Sequence, residues 1–329
     1  MDTFGNKFKV TIFGESHSPT LGAVVEGVHS GLSLDVSDFA EDIARRAPQG
    51  TAGTARREAD VPKLLSGVEN GLTDGGPIRI EFTNSDTRSR DYDTLTATPR
   101  PGHADYTSLI RMSGKSYAQA VREGFTVSPG GGHFSGRLTL PLVAAGTIAK
   151  KLLPGVHIDA RLTEIGGCAD KESWNPLLDR TAQEGDSLGG VVECSVKGLP
   201  AGLGEPFWDS VESLISHAIF SIPGVRGIEF GDGFAASRMK GSEHNDPLGP
   251  EGPVRNGAGG INGGLTNGAP LVFRVAFKPT SSIARAQRTW NFLSSAEETL
   301  EVRGRHDVCF ALRTPVIVEA MCAIVLANF

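Results

Sequence analysis

Polar and apolar residues alternate along "KFKVTIF", residues 7–13, and a period of two predicts a strand. The run ends in a glycine-bracketed stretch, "FGESHSPTLG", so Glu15, Ser16 and His17 fall in the turn that follows. The same alternation predicts strands in "PIRIEFTN", "GVHIDARLTEIG", "GGVVECSVKGL" and "APLVFRVAFKP". Apolar residues at helical spacing predict helices in "SDFAEDIARR", with Ser37 as N-cap, and in "GRLTLPLVAAGTIAKKLL", where Pro141 falls near the first turn. "PFWDSVESLISHAIFSI" and "TPVIVEAMCAIVLAN" read as two more. Strands and helices mix without a βαβ rhythm or an internal repeat, which predicts an α+β fold with residues 1–329 in a single large domain. The polar, glycine-rich stretch 231–268 has no periodicity and exceeds an ordinary connection, so a functional or mobile loop is expected there.

Composition narrows the classes. A chain of 329 residues with 39% hydrophobic content can bury a sizeable core. A net charge of -6 and a pI near 5.8 argue against a sequence-independent nucleic-acid binder. Cys168, Cys194, Cys309 and Cys322 are scattered with no C-x-x-C pair, so buried free thiols are expected rather than zinc or disulfides. "MDTFGNKFKV" lacks the apolar core of a signal peptide, and "VIVEAMCAIVLANF" is too short to span a bilayer and carries Glu319. A soluble cytoplasmic protein with no membrane partner is the expectation.

Several common motifs fail. "SGKS" lacks the glycine a P-loop needs, since position 109 is leucine. No G-x-G-x-x-G opens a helix after a strand, and no H-E-x-x-H occurs, so neither a Rossmann dinucleotide site nor a metal site is expected. Ser16 beside His17 is no triad signal, because neighbours on an extended chain point to opposite faces. Alone, that turn reads equally well as a polar hairpin tip. Four other stretches set arginine among glycine, proline, histidine and aspartate: "DIARRAPQG", "TPRPGHADYT", "PGGGHFSGRL" and "VRGRHDVC". Any one arginine is most simply a solvated surface charge, but four such clusters suit a substrate with several phosphate or carboxylate groups. His17 and His103, each in a glycine or proline turn, are candidate acids near neutral pH.

Six ordered blocks then carry a resemblance: "GESHSPTLG", "RPGHADYT", "GIEFGDGF…GSE", "AGGINGG", "KPTSS", and "GRHDVC" followed by "PVIVEAM". Along nearly its whole length the chain resembles the chorismate synthase family. The resemblance implies a β-α-β sandwich, with strands inside and helices outside, assembled as a homotetramer. It implies a lyase that converts 5-enolpyruvylshikimate 3-phosphate to chorismate and phosphate by a 1,4-anti elimination. That reaction needs reduced FMN without net redox change, and the reduced flavin would be supplied by a separate reductase. The roles implied are catalytic for His17, as the acid for departing phosphate, for His103, near the flavin, and for Asp307, in removing the C6 proton. Arg46, Arg100, Arg137 and Arg305 would bind substrate anions. His133, Phe134, Ser135, Pro223, Gly224, Gly263, Lys278, Pro279, Thr280, Ser281, Ser282 and Arg305 would contact FMN, and Ser16 is a weaker proton-relay candidate.

The chain departs from the family pattern in three places. "GGGHFSGRLTL" stands where "GGGRSSARETA" is common, "SIPGVRGIE" where "SINAVKGVE" is, and the basic residues around "QGTAGTARRE" are thinned. The alternative is a non-catalytic flavin-binding paralogue on the same scaffold. A third reading adds a flavin reductase activity of the chain's own, on which the sequence is silent. Retention of His17, His103, Arg137, Arg305 and Asp307 favours the enzyme.

Overall fold

Each alternating run folds as a strand with one buried face. The computed structural model describes residues 2–48, 53, 59–85, 95–302 and 306–329. Its first sheet comprises β1 (Thr3–Phe4), β2 (Lys9–Gly14), β3 (Thr20–Glu26), β4 (Lys63–Ser66) and, after a ribbon of β5 (Val68–Glu69) and β6 (Leu72–Thr73), β7 (Ile78–Thr83). The strand order is β1-β2-β3-β7-β4, antiparallel throughout. The second sheet begins with β8 (His157–Ile165), β9 (Gly190–Lys197) and β10 (Val225–Phe230). Two ribbons follow, β11 (Leu248–Gly249) with β12 (Gly252–Pro253) and β13 (Ile261–Asn262) with β14 (Leu265–Thr266), before β15 (Leu271–Phe277) completes the order β10-β15-β9-β8. A last ribbon pairs β16 (Gln287–Asn291) with β17 (Ala296–Leu300).

The helices are α1 (Ala40–Arg46), α2 (Asp105–Ser113), α3 (Tyr117–Arg122), α4 (Thr139–Lys151), α5 (Trp174–Gln183), α6 (Val211–Phe220), α7 (Gly241–His244) and α8 (Pro315–Leu326). Their placement corrects the expected layering. α4 packs on β2, β3 and β7, α8 packs on β8 and β9, and α4 packs on α8, so the helices lie inside and the sheets outside. The reason is in the residues. A strand such as β7 buries Ile78, Ile80 and Phe82 and turns Arg79 and Thr83 to water, so it needs cover on one face only. In α8, by contrast, 11 of 12 residues are buried, and a helix that is apolar all round has to be enclosed.

Close contact between α4 and α8 depends on Gly146, because a Cβ there would lie 2.5 Å from Ala320 Cα. The one charge in α8, Glu319, is 2% exposed. It accepts bonds from Arg45 Nη1 and Nη2 (2.8 and 2.6 Å), Lys150 Nζ (3.0 Å) and the Ala160 N–H (3.0 Å). Burial alone would raise that carboxyl's pKa, but the bonds from Arg45 and the charge of Lys150 outweigh it and hold it below the usual value.

Other expectations shift locally. The N-cap before α1 is Asp35, not Ser37: the Asp35 carboxylate accepts the Ser37 N–H (2.9 Å), while Asp38 accepts the Asp35 N–H (2.8 Å). Ser37 lies within the short 3-10 turn so capped. The stretch 231–268 is organised by its own bonds: Asp246 accepts the N–H groups of Gly257 and Ala258 and pairs with Arg255, which also bonds Asp232. Cys194, Cys309 and Cys322 are buried free thiols, and Cys168 is half-buried.

Candidate active site

The ends of both sheets and of the enclosed helices meet around a cavity of about 840 Å³. Its wall comes from the β2–β3 turn, the end of α1, the starts of α2, α4 and α8, the lead-in to β10 and the loop after β15. Helix N-termini present unsatisfied N–H groups and partial positive charge, which favours anions.

The turn at Ser16 and His17 is held by a glycine run. Gly130, Gly131 and Gly132 all have positive φ (62°, 84° and 52°), and the Ser16 N–H donates to the Gly132 carbonyl at 3.1 Å. His17 Nδ1 lies 3.1 Å from the Pro129 carbonyl, which can only accept, so Nδ1 carries a proton. A Cβ on Gly130 would stand 2.6 Å from Ser16 Oγ and 2.5 Å from His17 Nδ1. The chain is turned here rather than extended, so serine and histidine share a side, and the opposite-face argument fails.

Below this turn lie three guanidiniums. Arg46, 2% exposed, donates to Thr139 Oγ1 (3.2 Å) and the Gly136 carbonyl (2.9 Å), with Asp60 at 3.6 Å. Arg137 pairs with Asp60 (2.6 Å) and donates to Asn84 Oδ1 (3.0 Å). Arg313 donates to Asp307 Oδ2 (2.7 Å) and lies 4.8 Å from the Phe310 ring centre. Burial, reinforced by the charges of Arg313 and Arg137, pulls the Arg46 pKa well below the usual arginine value. Arg137 Nη2 and Arg313 Nε are buried with no hydrogen-bond partner among the described residues. Buried donors of this kind are costly unless a ligand meets them.

A second cluster surrounds His103. Arg100 bonds both Asp105 oxygens (Nε and Nη2, 2.7 Å each) and Ser282 Oγ (3.0 Å). His103 Nδ1 lies 2.7 Å from Asp105 Oδ1. Burial lowers the His103 pKa, and the bond to Asp105 only partly offsets it. Lys278 Nζ donates to the Gly102 carbonyl and to Ser281 Oγ (2.6 Å each), and burial beside Arg226 lowers its pKa. Thr280 Oγ1 is buried without a hydrogen-bond partner among the described residues.

The family model for chorismate synthase matches residues 8–329. A chorismate synthase of Chitinophaga pinensis is 52% identical over 332 residues, covering 100% of this chain and 96% of that one. The chain belongs to the chorismate synthase family. A chorismate synthase of Korarchaeum cryptofilum is 41% identical, with 99% and 96% covered. A crystal structure of chorismate synthase superposes with a TM-score of 0.72 at 26% identity, over 99% of this chain and 92% of the other, so the fold is the family's as well.

Most residues expected of a chorismate synthase line this one cavity: His17, His103, Asp307, Arg46, Arg100, Arg137, His133, Phe134, Ser135, Pro223, Gly224 and the run 278–282. Three expectations change on inspection. Arg100 reaches the cavity, but its guanidinium is bound to Asp105 and Ser282, so it braces the wall rather than offering itself to an anion. His133 directs its two nitrogens at the Gly14 carbonyl and Asp2 Oδ1 (3.1 Å each). Gly263 lies in the β13–β14 turn, and no residue of 231–268 lines the cavity. Arg305 and most of 49–58 lie outside the described residues.

Sequence reasoning missed Arg313, Asp60, Asp105, Arg226 and His306. Arg313 had a signal, as a lone arginine in the apolar run "VCFALRTPVIV". Asp60 had none, because only folding brings it to Arg46 and Arg137. Among the described residues, no helix is long and apolar enough to cross a membrane, and no group of three or more His, Cys, Asp or Glu is placed to hold a metal.

Proposed function

We propose that this protein catalyses the chorismate synthase reaction, the elimination of phosphate from 5-enolpyruvylshikimate 3-phosphate to give chorismate, as the last step of the shikimate pathway. The observation that carries the reading is the trio of buried guanidiniums, Arg46, Arg137 and Arg313, facing one cavity with two donor atoms unmatched among the described residues. A substrate with one phosphate and two carboxylates would match such donors.

The remaining wall fits an anionic flavin. The cavity lies toward the upper end of the roughly 300–1,000 Å³ of small-molecule sites, room enough for a cofactor beside a substrate. Lys278, Ser281 and the unmatched Thr280 hydroxyl would hold the FMN phosphate, and Pro223 and Gly224 would border it through backbone and shape. Reduced FMN, when bound, supplies the electron density that lets the allylic phosphate leave and recovers it, so no net oxidation occurs.

The chain's own side chains do the rest. Arg46, Arg137 and Arg313 orient the substrate by its anions. His17, as an imidazolium whose Nδ1 donates to the Pro129 carbonyl, would present its second proton on Nε2 to the departing phosphate and be left neutral. Asp307, fixed by Arg313, accepts the C6 proton. His103, when protonated, would place a positive charge at the cavity that favours a reduced, anionic flavin. The same reading makes the protein a cytoplasmic homotetramer whose reduced flavin comes from a separate reductase.

The test is anaerobic incubation with substrate and chemically reduced FMN, following phosphate and chorismate together. Equal yields with the flavin still reduced are expected. Flavin oxidised in step with product would refute the non-redox role, and absence of both products would refute the proposed reaction.

A further inference from the structure

A carboxylate that accepts from both an arginine and an imidazole does more than neutralise charge. Asp105 is 2% exposed, and both of its oxygens are engaged: Oδ2 by Arg100 Nε, and Oδ1 by Arg100 Nη2 and His103 Nδ1. Burial alone would raise its pKa, but Arg100 and His103 together hold the carboxyl far below its usual value, so it is a carboxylate at any working pH. A carboxylate only accepts, and its 2.7 Å contact is the shortest of three at Nδ1, ahead of the Arg100 Nη2 (3.0 Å) and Asp105 N–H (3.2 Å) donors, which favours the His103 proton on Nδ1, directed at Oδ1. The other nitrogen, Nε2, then carries the lone pair. It lies near Gly131 of the glycine turn, where a Cβ would come within 3.3 Å of it, and both His103 and the neighbouring Gly130 line the cavity.

We propose that Asp105 is a positioning residue for His103, fixing the imidazole with its proton on Nδ1 so that the only site left to protonate, Nε2, faces the cavity. Any proton taken up by His103 is added at Nε2, at the bound molecules, and the resulting imidazolium is held by the carboxylate behind it. The charged groups facing His103 are Asp105 at the start of α2, Arg100 from the preceding loop and Lys278 from the loop after β15. With two cations nearby and the ring buried, His103 rests neutral, and an arriving anion shifts it toward the protonated form. The catalytic consequence rests on the proposed function, whereas the tautomer does not.

The test uses full-length protein labelled with ¹⁵N-histidine, without ligand, near neutral pH. Ring-nitrogen correlation spectra should show His103 neutral, with Nδ1 protonated and Nε2 bare. Asp105→Asn presents an amide that can either donate or accept, so a mixture of tautomers is expected. In turnover, Asp105→Asn should lower kcat by about 10²-fold, the low end of what a placed acid or base contributes, with KM little changed. In a His103→Ala background the same substitution should cost nothing further, because its effect runs through the imidazole.

A bare Nδ1 in the unmodified protein would overturn the proposal, and so would equal losses from Asp105→Asn in both backgrounds. Should the variant fail to fold, the spectrum of the unmodified protein still decides. An inactive but correctly protonated wild-type protein would sink the proposed function and leave this assignment standing.

Discussion

Replacing Gly130 by alanine tests how tightly the histidine turn is built. At φ 62° and ψ 14° the residue is left-handed, where an L side chain costs about 1–2 kcal/mol. Space is the second cost. The new Cβ would lie 2.5 Å from His17 Nδ1 and 2.6 Å from Ser16 Oγ, against ordinary contacts of about 3.5 Å, so the turn must retreat by roughly 1 Å. A displacement of that size at a reacting group costs on the order of 10²-fold in rate. Gly114 supplies the control. It caps α2 at φ 66° with nothing within 4 Å of an added Cβ, so Gly114→Ala carries a similar backbone cost without the clash. Thermal unfolding and anaerobic phosphate release should be measured on both. Both should lose stability through the backbone, Gly130→Ala somewhat more because of the clash, and only Gly130→Ala should lose about two orders of magnitude in kcat. If Gly130→Ala turned over within a few-fold of Gly114→Ala, the inference that this glycine places His17 would be wrong.

Other expectations follow from the same geometry. His17→Ala should keep the fold and FMN binding and lose about 10²–10⁴-fold in kcat with little change in KM; wild-type rates would return the residue to a plain hairpin tip. Arg137→Ala and Arg313→Ala should each weaken substrate binding by about ten- to a hundredfold, as expected for roughly 1.5–3 kcal/mol per charge-assisted bond, and normal affinity in titrations would remove the anion argument. Glu319, whose pKa is depressed in the folded chain, contributes stability that is present above its unfolded pKa near 4.5 and is lost as pH falls through the lower folded value. The melting temperature should therefore drop on acidification below that point and do so less steeply in Glu319→Gln; identical slopes would exclude this network as the cause.

The strands of both sheets were legible where alternation was clean, as in "PIRIEFTN" and "APLVFRVAFKP". β10 was not. Its "VRGIEF" is interrupted by glycine, and a bulge between Val225 and Gly227 breaks the period. α2, α3 and α5 also escaped, being short and largely polar. The layering was misjudged although the signal was present, since "PVIVEAMCAIVL" has no polar stripe for solvent apart from Glu319. At the site, short-range patterns pointed to His17 and His103, each in a glycine or proline turn, and to arginines in stretches of distinctive composition beside such residues, with Arg46 at the end of α1 and Arg137 in a short 3-10 turn. What stayed hidden were partners joined only by folding: Asp60 to Arg46 and Arg137, and Arg100 to Ser282 across 182 residues. Contact at that range leaves no mark in a single sequence.

The inverted layering also explains how an acidic protein keeps a cationic cavity. With α4 and α8 enclosed between the sheets, the starts of both helices emerge at the same rim, bringing Arg137 and Arg313 together beside Arg46 at the end of α1. Among the described residues six cationic side chains, Arg46, Arg100, Arg137, Arg226, Lys278 and Arg313, line the cavity against the carboxylates of Asp60 and Asp307, while the whole chain carries a net charge of -6. On that balance a large polyanion would meet the outer field first and be repelled. A small one reaches the recess, where low-dielectric walls focus the local positive potential. On the proposed function, selection by size as well as charge would follow, and it would come from where the helices begin rather than from the number of arginines in the chain.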